Sequence, residues 1–86
     1  MARDVAAVSA RIVRNPRILS GEPIVEGTRV PVRAIVVAWH YEPDISRMLK
    51  AYPHLSPEAI KAALAYYADH RSEIDEYIRA NDADLD

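Results

Sequence analysis

The segment Gly21–Val32, which reads Gly-Glu-Pro-Ile-Val-Glu-Gly-Thr-Arg-Val-Pro-Val, constrains the fold of this chain more than any other stretch. It holds both glycines of the chain and two of its six prolines. Gly21 precedes a Glu-Pro pair, which is typical of a turn. Two β-branched runs flank Glu-Gly, a pattern that predicts a tight hairpin with Gly27 at positive φ. Pro31 then lacks a backbone donor and suits the first turn of a helix.

The predicted hairpin would pair Ile24-Val25 with Thr28–Val30. A two-stranded hairpin alone is unstable in water, so it needs a further strand or a cover. The apolar pair Ile12-Val13, bounded by arginines and followed by an Asn-Pro turn signal, predicts that strand. The strand can pair with the hairpin of its own chain or with that of a second copy, and the sequence leaves both open.

Beyond Pro31 the apolar residues recur at intervals of three and four, which is the spacing of amphipathic helices. Predicted helices span 32–41, 44–52 and 57–69, with Asp44 and Ser56 as N-caps, and a fourth follows a cap at Ser72. The second and third have the size and connection of a helix-turn-helix. The predicted fold class is therefore mostly α: a short N-terminal β-hairpin or strands, followed by a three-to-four-helix, winged-helix-like helix-turn-helix domain.

The length of 86 residues predicts one domain over 11–80, between a flexible N-terminus at 1–10 and an unstructured acidic tail at 81–86. So short a chain buries only about 60–65% of its unfolded surface, and self-association would add stability. The absence of cysteine excludes disulfides and fits a cytoplasmic protein. No apolar run suits a signal peptide or a membrane span, so no membrane association is expected.

Residues with catalytic or metal-binding potential are sparse. His40, His54 and His70 are too far apart in the sequence to share a helical turn, as a metal-binding His pair would. No serine lies in a Gly-x-Ser-x-Gly context, and no glycine-rich phosphate loop is present. We therefore expect no enzymatic activity, no cofactor and no metal.

Charge is distributed unevenly, because residues 1–33 carry six arginines against three carboxylates and residues 34–86 carry five basic against ten acidic side chains. A basic N-terminal third suits contact with phosphate, if the strands gather the arginines on one face. The alternative is that these side chains only solvate the surface. The predicted reading helix contributes one basic residue. The candidate DNA-contacting residues are Arg11, Arg14, Arg29, Arg33 and Lys61.

The chain resembles the small prokaryotic family called domain of unknown function number 433. The resemblance covers about residues 11–80 and is carried by Asn15-Pro16, the Gly-x-Pro-x-x-x-Gly-Thr-Arg-x-Pro-Val string at 21–32, and the segments 45–58 and 60–68. It implies a dimeric helix-turn-helix or winged-helix-like domain preceded by short strands. Members are commonly classed as VapB-type antitoxins, encoded beside a PIN-like ribonuclease toxin.

An antitoxin of this kind would be a non-enzymatic homodimer that binds operator DNA and covers the toxin's active site. A PIN-like nuclease gathers carboxylates around a divalent cation, so a basic or bulky segment could block it. Such contacts are placed on the C-terminal helix and on one exposed tyrosine, with Arg79 as the side chain that enters the site. The candidate partner-binding residues are Tyr66, Ile74, Tyr77, Ile78 and Arg79. The alternative function is a protein-interaction module without DNA binding.

Overall fold

The computed structural model of the chain describes residues 10–85, with side chains described through residue 81. Two short strands precede four helices: β1 Ile12–Val13, β2 Ile24–Val25, α1 Val32–Tyr41, α2 Ile45–Ala51, α3 Pro57–Asp69 and α4 Arg71–Leu85. The predicted fold class, mostly α with short N-terminal strands, is confirmed. Residues 1–9 of the expected flexible N-terminus lie outside the described part of the chain.

The strands pair within one chain. β1 is antiparallel to β2 of the same chain, with Ile12 opposite Val25. The predicted hairpin is present in reduced form: Gly27 has a φ of +82°, but no strand forms over Thr28–Val30. The Thr28 hydroxyl explains this, because it donates to the Val25 carbonyl at 2.8 Å and accepts from the Val30 N–H at 3.0 Å. A side chain thus occupies backbone groups that a longer ladder would use.

Three helices have the boundaries that local signals predict, within one residue. α1 begins directly after Pro31. The Asp44 carboxylate accepts from the Arg47 N–H at 3.3 Å and so caps α2. The Ser56 hydroxyl accepts from the Ala59 N–H at 3.0 Å and caps α3. Each cap satisfies a helix donor that would otherwise lack a partner.

The fourth helix differs from the prediction at both ends. It begins at Arg71, so Ser72 lies inside it and is not its cap. The His70 carbonyl already accepts from the Ile74 N–H at 3.0 Å, which leaves a single residue between α3 and α4. The helix continues to Leu85, so 81–85 are helical where an unstructured tail was expected. The sequence holds no Gly or Pro after Pro57 to stop it.

The core is organised on α1, which packs against both α3 and α4. One stripe of α1 is fully buried and meets residues of β2 and of the other helices. Trp39 is half-buried at the edge of the core. The buried cluster consists of Val25, Val32, Ile35, Val36, Met48, Leu55, Ala59, Ile60, Ala63 and Ile74.

Substitution of Gly27 tests the turn. A Cβ at this position would meet no atom within 4 Å, so any cost comes from the backbone alone. We expect Gly27→Val to lower the free energy of unfolding by about 2 kcal/mol, because a β-branched residue is strained at positive φ. Gly27→Asn should lose much less, since Asn tolerates this conformation. Urea denaturation measures both, and equal losses would contradict the turn assignment.

Candidate functional site

Arg14, a predicted DNA contact, is held by groups of α3 and α4. Its Nη2 donates to the Tyr66 hydroxyl at 2.8 Å and also contacts the Glu73 carboxylate. The Tyr66 hydroxyl in turn donates to Glu73 at 3.1 Å. The bond to Glu73 raises the pKa of Arg14, and burial followed by the bond to Glu73 raises the pKa of Tyr66. Arg14 therefore ties β1 to the last two helices, and its charge is largely compensated.

Arg33 also has a structural contact. Its Nε lies 2.6 Å from Oε1 of Glu22, the one buried charged side chain among the described residues. Glu22 is only 6% exposed, so its carboxylate needs a nearby cation. The pair joins the turn before β2 to the first turn of α1. Arg33 thus contributes to the fold, and a phosphate would have to compete with Glu22 for its guanidinium.

The remaining predicted DNA contacts differ in their partners. Arg11 and Arg14 lie on either side of the two-residue strand β1 and pair with different carboxylates. Arg11 lies 3.8 Å from the Glu26 carboxylate. Arg29 and Lys61 are exposed and make no ion pair with the described residues. Arg14 and Arg29 line one open groove of about 680 Å³ beside the strands, and Glu26, the partner of Arg11, lines it as well.

The predicted partner-binding residues separate into buried and surface groups. Ile74 is fully buried in the core, so its placement at a partner surface is wrong. The helical stripe that marked it as apolar faces α1. Tyr77 and Ile78 are half-buried and pack against the core, and Tyr66 is held by Arg14 and Glu73. Arg79 is exposed but paired with Glu76 one turn away.

The principal exposed apolar surface lies on α1, where the sequence prediction did not place it. Tyr41 is 91% exposed and Val37 is 49% exposed. Both line an open groove of about 430 Å³, here called the α1 groove, between α1, the end of α2 and α4. Its apolar lining consists of Ala34, Val37, Ala38, Tyr41, Tyr52 and Ile78. Of the predicted partner-binding residues, Ile78 is the one that contributes to this lining.

A sequence signal for the α1 groove exists. Ala34, Val37, Ala38 and Tyr41 are spaced i, i+3, i+4 and i+7, the same spacing as the buried stripe of this helix. α1 therefore carries two apolar faces, and a helix that is apolar on all sides is typical of a buried helix. In one chain only the first face is covered, which leaves the second available to a partner.

Other classes of site find little support among residues 10–85. No group of three or more His, Cys, Asp or Glu side chains is placed there to hold a metal ion. Within the same residues no helix combines the length and apolar character needed to cross a bilayer.

Comparison with known proteins identifies the family. The family model described as "Protein of unknown function (DUF433)" matches residues 12–67. The chain belongs to this family. The crystal structure of a DUF433 member protein from Anabaena variabilis has a TM-score of 0.74 and 29% identity, over 79% of this chain and 67% of that one.

A longer relative shares part of the DUF433 chain. The uncharacterized protein y4eO of Sinorhizobium fredii is 40% identical over 63 residues, which make up 73% of this chain and 28% of that protein. The chain therefore spans less than a third of the length of this relative.

The burial of the Glu22–Arg33 pair predicts that replacing Arg33 lowers the free energy of unfolding more than replacing Arg47, whose ion pair is exposed. Arg33→Met leaves a nearly buried carboxylate without its cation, and we expect unfolding free energy to fall by about 2 kcal/mol or more. Adding Glu22→Gln should restore part of it, because a neutral amide costs less to bury. Arg47→Met, which breaks an exposed pair with Glu42, should cost less than about 1 kcal/mol. Equal effects of the two arginine substitutions in urea denaturation would contradict this assignment.

The raised pKa values of Tyr66 and Tyr67 predict a loss of stability at alkaline pH. The hydrogen bond from Tyr67 to Asp75, 2.8 Å long, raises the pKa of Tyr67, and the pKa of Tyr66 is raised as well. The folded state therefore holds these protons more tightly than the unfolded state. Their contribution is complete below the ordinary tyrosine pKa of about 10 and is lost as pH rises through the higher folded-state values.

Replacement by phenylalanine isolates this contribution. The double variant Tyr66→Phe/Tyr67→Phe should show a shallower fall in unfolding free energy between about pH 9 and pH 11. Tyr41→Phe is the matched control, since Tyr41 is almost fully exposed, and its profile should follow that of the unsubstituted chain. A control profile as shallow as that of the double variant would refute the assignment.

Proposed function

We propose that this DUF433 chain acts by binding another protein, as the antitoxin of a type II toxin-antitoxin pair. Its proposed partner is a PIN-like ribonuclease, and the α1 groove is the proposed contact surface. The observation that carries the proposal is the second apolar face of α1, of which Tyr41 is 91% exposed. The assignment to the antitoxin class rests on the family resemblance.

The composition of the α1 groove supports protein binding. Its floor is aliphatic and aromatic, whereas Arg33 and Asn81 lie among its lining residues. An apolar centre with polar groups at its margin is the usual anatomy of a protein interface. Tyrosine is also among the residues that most often dominate binding energy, because it buries a large rigid surface at small entropic cost.

Contact with operator DNA is the second part of the proposal, through a homodimer that presents α2 and α3. Arg29 and Lys61 support it as exposed cations without ion pairs among the described residues. The carboxylate partners of Arg14 and Arg33 weaken it, because phosphate would have to displace them. The geometry thus favours protein binding as the primary activity, and a protein-interaction module without DNA binding is the alternative.

Co-expression with a PIN-like ribonuclease encoded beside the gene tests the proposal. The unsubstituted chain should co-purify with the nuclease and relieve its toxicity. Tyr41→Ala should weaken the complex about tenfold or more without loss of folding, since this side chain is almost fully exposed. Lys50→Ala, an exposed substitution on α2 outside the groove lining, is the control and should bind normally. Undiminished binding by Tyr41→Ala, or no complex at all, would refute the proposal.

Promoter binding at two salt concentrations tests the DNA part separately. Operator contact predicts specific binding by a dimer that weakens steeply as salt increases. Arg29→Gln and Lys61→Gln should each reduce it. Affinity no greater than that for random DNA, together with an intact nuclease complex, would support the protein-interaction alternative.

A further inference from the structure

A second groove lies where two distant sequence motifs meet. One side is formed by residues 27–30, which begin at the Gly27 turn. The other side is formed by residues 51–55, at the end of α2 and in its connection to α3. The open space between them is about 420 Å³ and is here called the turn groove. Its side chains include Arg29, Val30, Tyr52, Pro53, His54 and Leu55.

The backbone that carries Arg29 is held in place on both sides. Before it, the Thr28 N–H donates to the Val25 carbonyl at 3.0 Å. After it, the Val25 N–H donates to the Val30 carbonyl, also at 3.0 Å. The Thr28 hydroxyl links the Val25 carbonyl before the turn to the Val30 N–H after it. Arg29 is thus an exposed cation on an ordered turn, and little backbone entropy would be lost when it binds an anion.

The lining of the turn groove indicates the chemistry of its ligand. Its floor is apolar, with Leu55 buried and Val30 half-buried. Arg29 contributes a guanidinium that makes no ion pair among the described residues, and no carboxylate lines the groove. A guanidinium pairs with a carboxylate through two parallel hydrogen bonds. The apolar floor can accept one apolar side chain of a peptide, and the single cation can pair with a neighbouring carboxylate of the same peptide.

We propose that the turn groove binds an extended acidic segment of a partner protein, with an apolar side chain on the groove floor and a neighbouring carboxylate paired with Arg29. A nucleic-acid backbone fits less well, because phosphate binding draws on several cations and gains little from an apolar floor. The turn groove is distinct from the α1 groove, although Tyr52 lines both. The proposal does not depend on the identity of the partner as a nuclease.

Titration of the full chain with a capped peptide of sequence Asp-Asp-Leu-Asp-Asp tests this inference. Backbone amide resonances, followed by NMR, should shift at 27–30 and 51–55 and not along α4. Arg29→Gln should weaken binding about tenfold, the value of one charge-assisted contact. Arg17→Gln, an exposed arginine outside the groove lining, should bind like the unsubstituted chain. The peptide Asp-Asp-Ala-Asp-Asp should bind more weakly than the leucine peptide.

Control ligands separate the proposed occupant from others. The amide peptide Asn-Asn-Leu-Asn-Asn should bind weakly, and inorganic phosphate should not reproduce the shifts of the acidic peptide. If phosphate or a mixed-sequence DNA duplex shifts the amides of 51–55 together with those of 27–30, as the acidic peptide does, the groove is a general anion or nucleic-acid site and the proposal is overturned. Shifts confined to other surfaces, or equal losses in the two arginine variants, overturn it too. The nuclease complex and its dependence on Tyr41 test the α1 groove separately, because Tyr41 does not line the turn groove.

Discussion

Two backbone hydrogen bonds close the loop from residue 23 to residue 32, and the rest of the fold depends on them. The Val25 N–H donates to the Val30 carbonyl at 3.0 Å, and the Val32 N–H donates to the Pro23 carbonyl at 2.9 Å. Val25 and Val32 are both fully buried, so these N–H groups have no access to water and need a partner in the chain. The loop delivers the first turn of α1 to the inner side of β2, and α1 then organises the core.

Arginine–carboxylate contacts fasten this N-terminal part to the helices. Arg14 reaches from the end of β1 to Glu73 on α4, and Glu22 reaches Arg33 on α1. Both contacts join different structural elements at the edge of a small core, where apolar burial alone is limited. A nucleic acid would have to compete with Glu73 for Arg14 and with Glu22 for Arg33. Of the five arginines between residues 11 and 33, Arg14 and Arg33 are thus held by contacts within the fold.

Two open grooves with largely apolar linings lie on either side of Tyr52. One is the outer face of α1, and the other lies between the Gly27 turn and the connection from α2 to α3. Tyr52 lines both, so a ligand that moves its ring at one groove would alter the wall of the other. Two neighbouring grooves of this kind are the basis of the two binding proposals made above. Membership of DUF433 gives the fold of the chain and leaves its partners to experiment.

Local features of this protein follow from its sequence because each depends on neighbours along the chain. The positive φ of Gly27, the caps at Asp44 and Ser56 and the bounds of α3 are of this kind. The start of α4 is an exception. Ser72 has the side chain of a helix cap, but the Ile74 N–H already donates to the His70 carbonyl, so the helix begins before Ser72.

Only the tertiary structure decided which faces meet. The periodicity of α4 predicts an apolar face that includes Ile74, but it does not distinguish a core position from an interface position. Charge counts likewise do not predict that Arg14 contacts Glu73, 59 residues away. The pairing of β1 with its own chain and the exposure of Tyr41 belong to the same class. The reason is physical: a contact between distant segments depends on how helices pack in space, and neither propensity nor spacing along one segment contains that information.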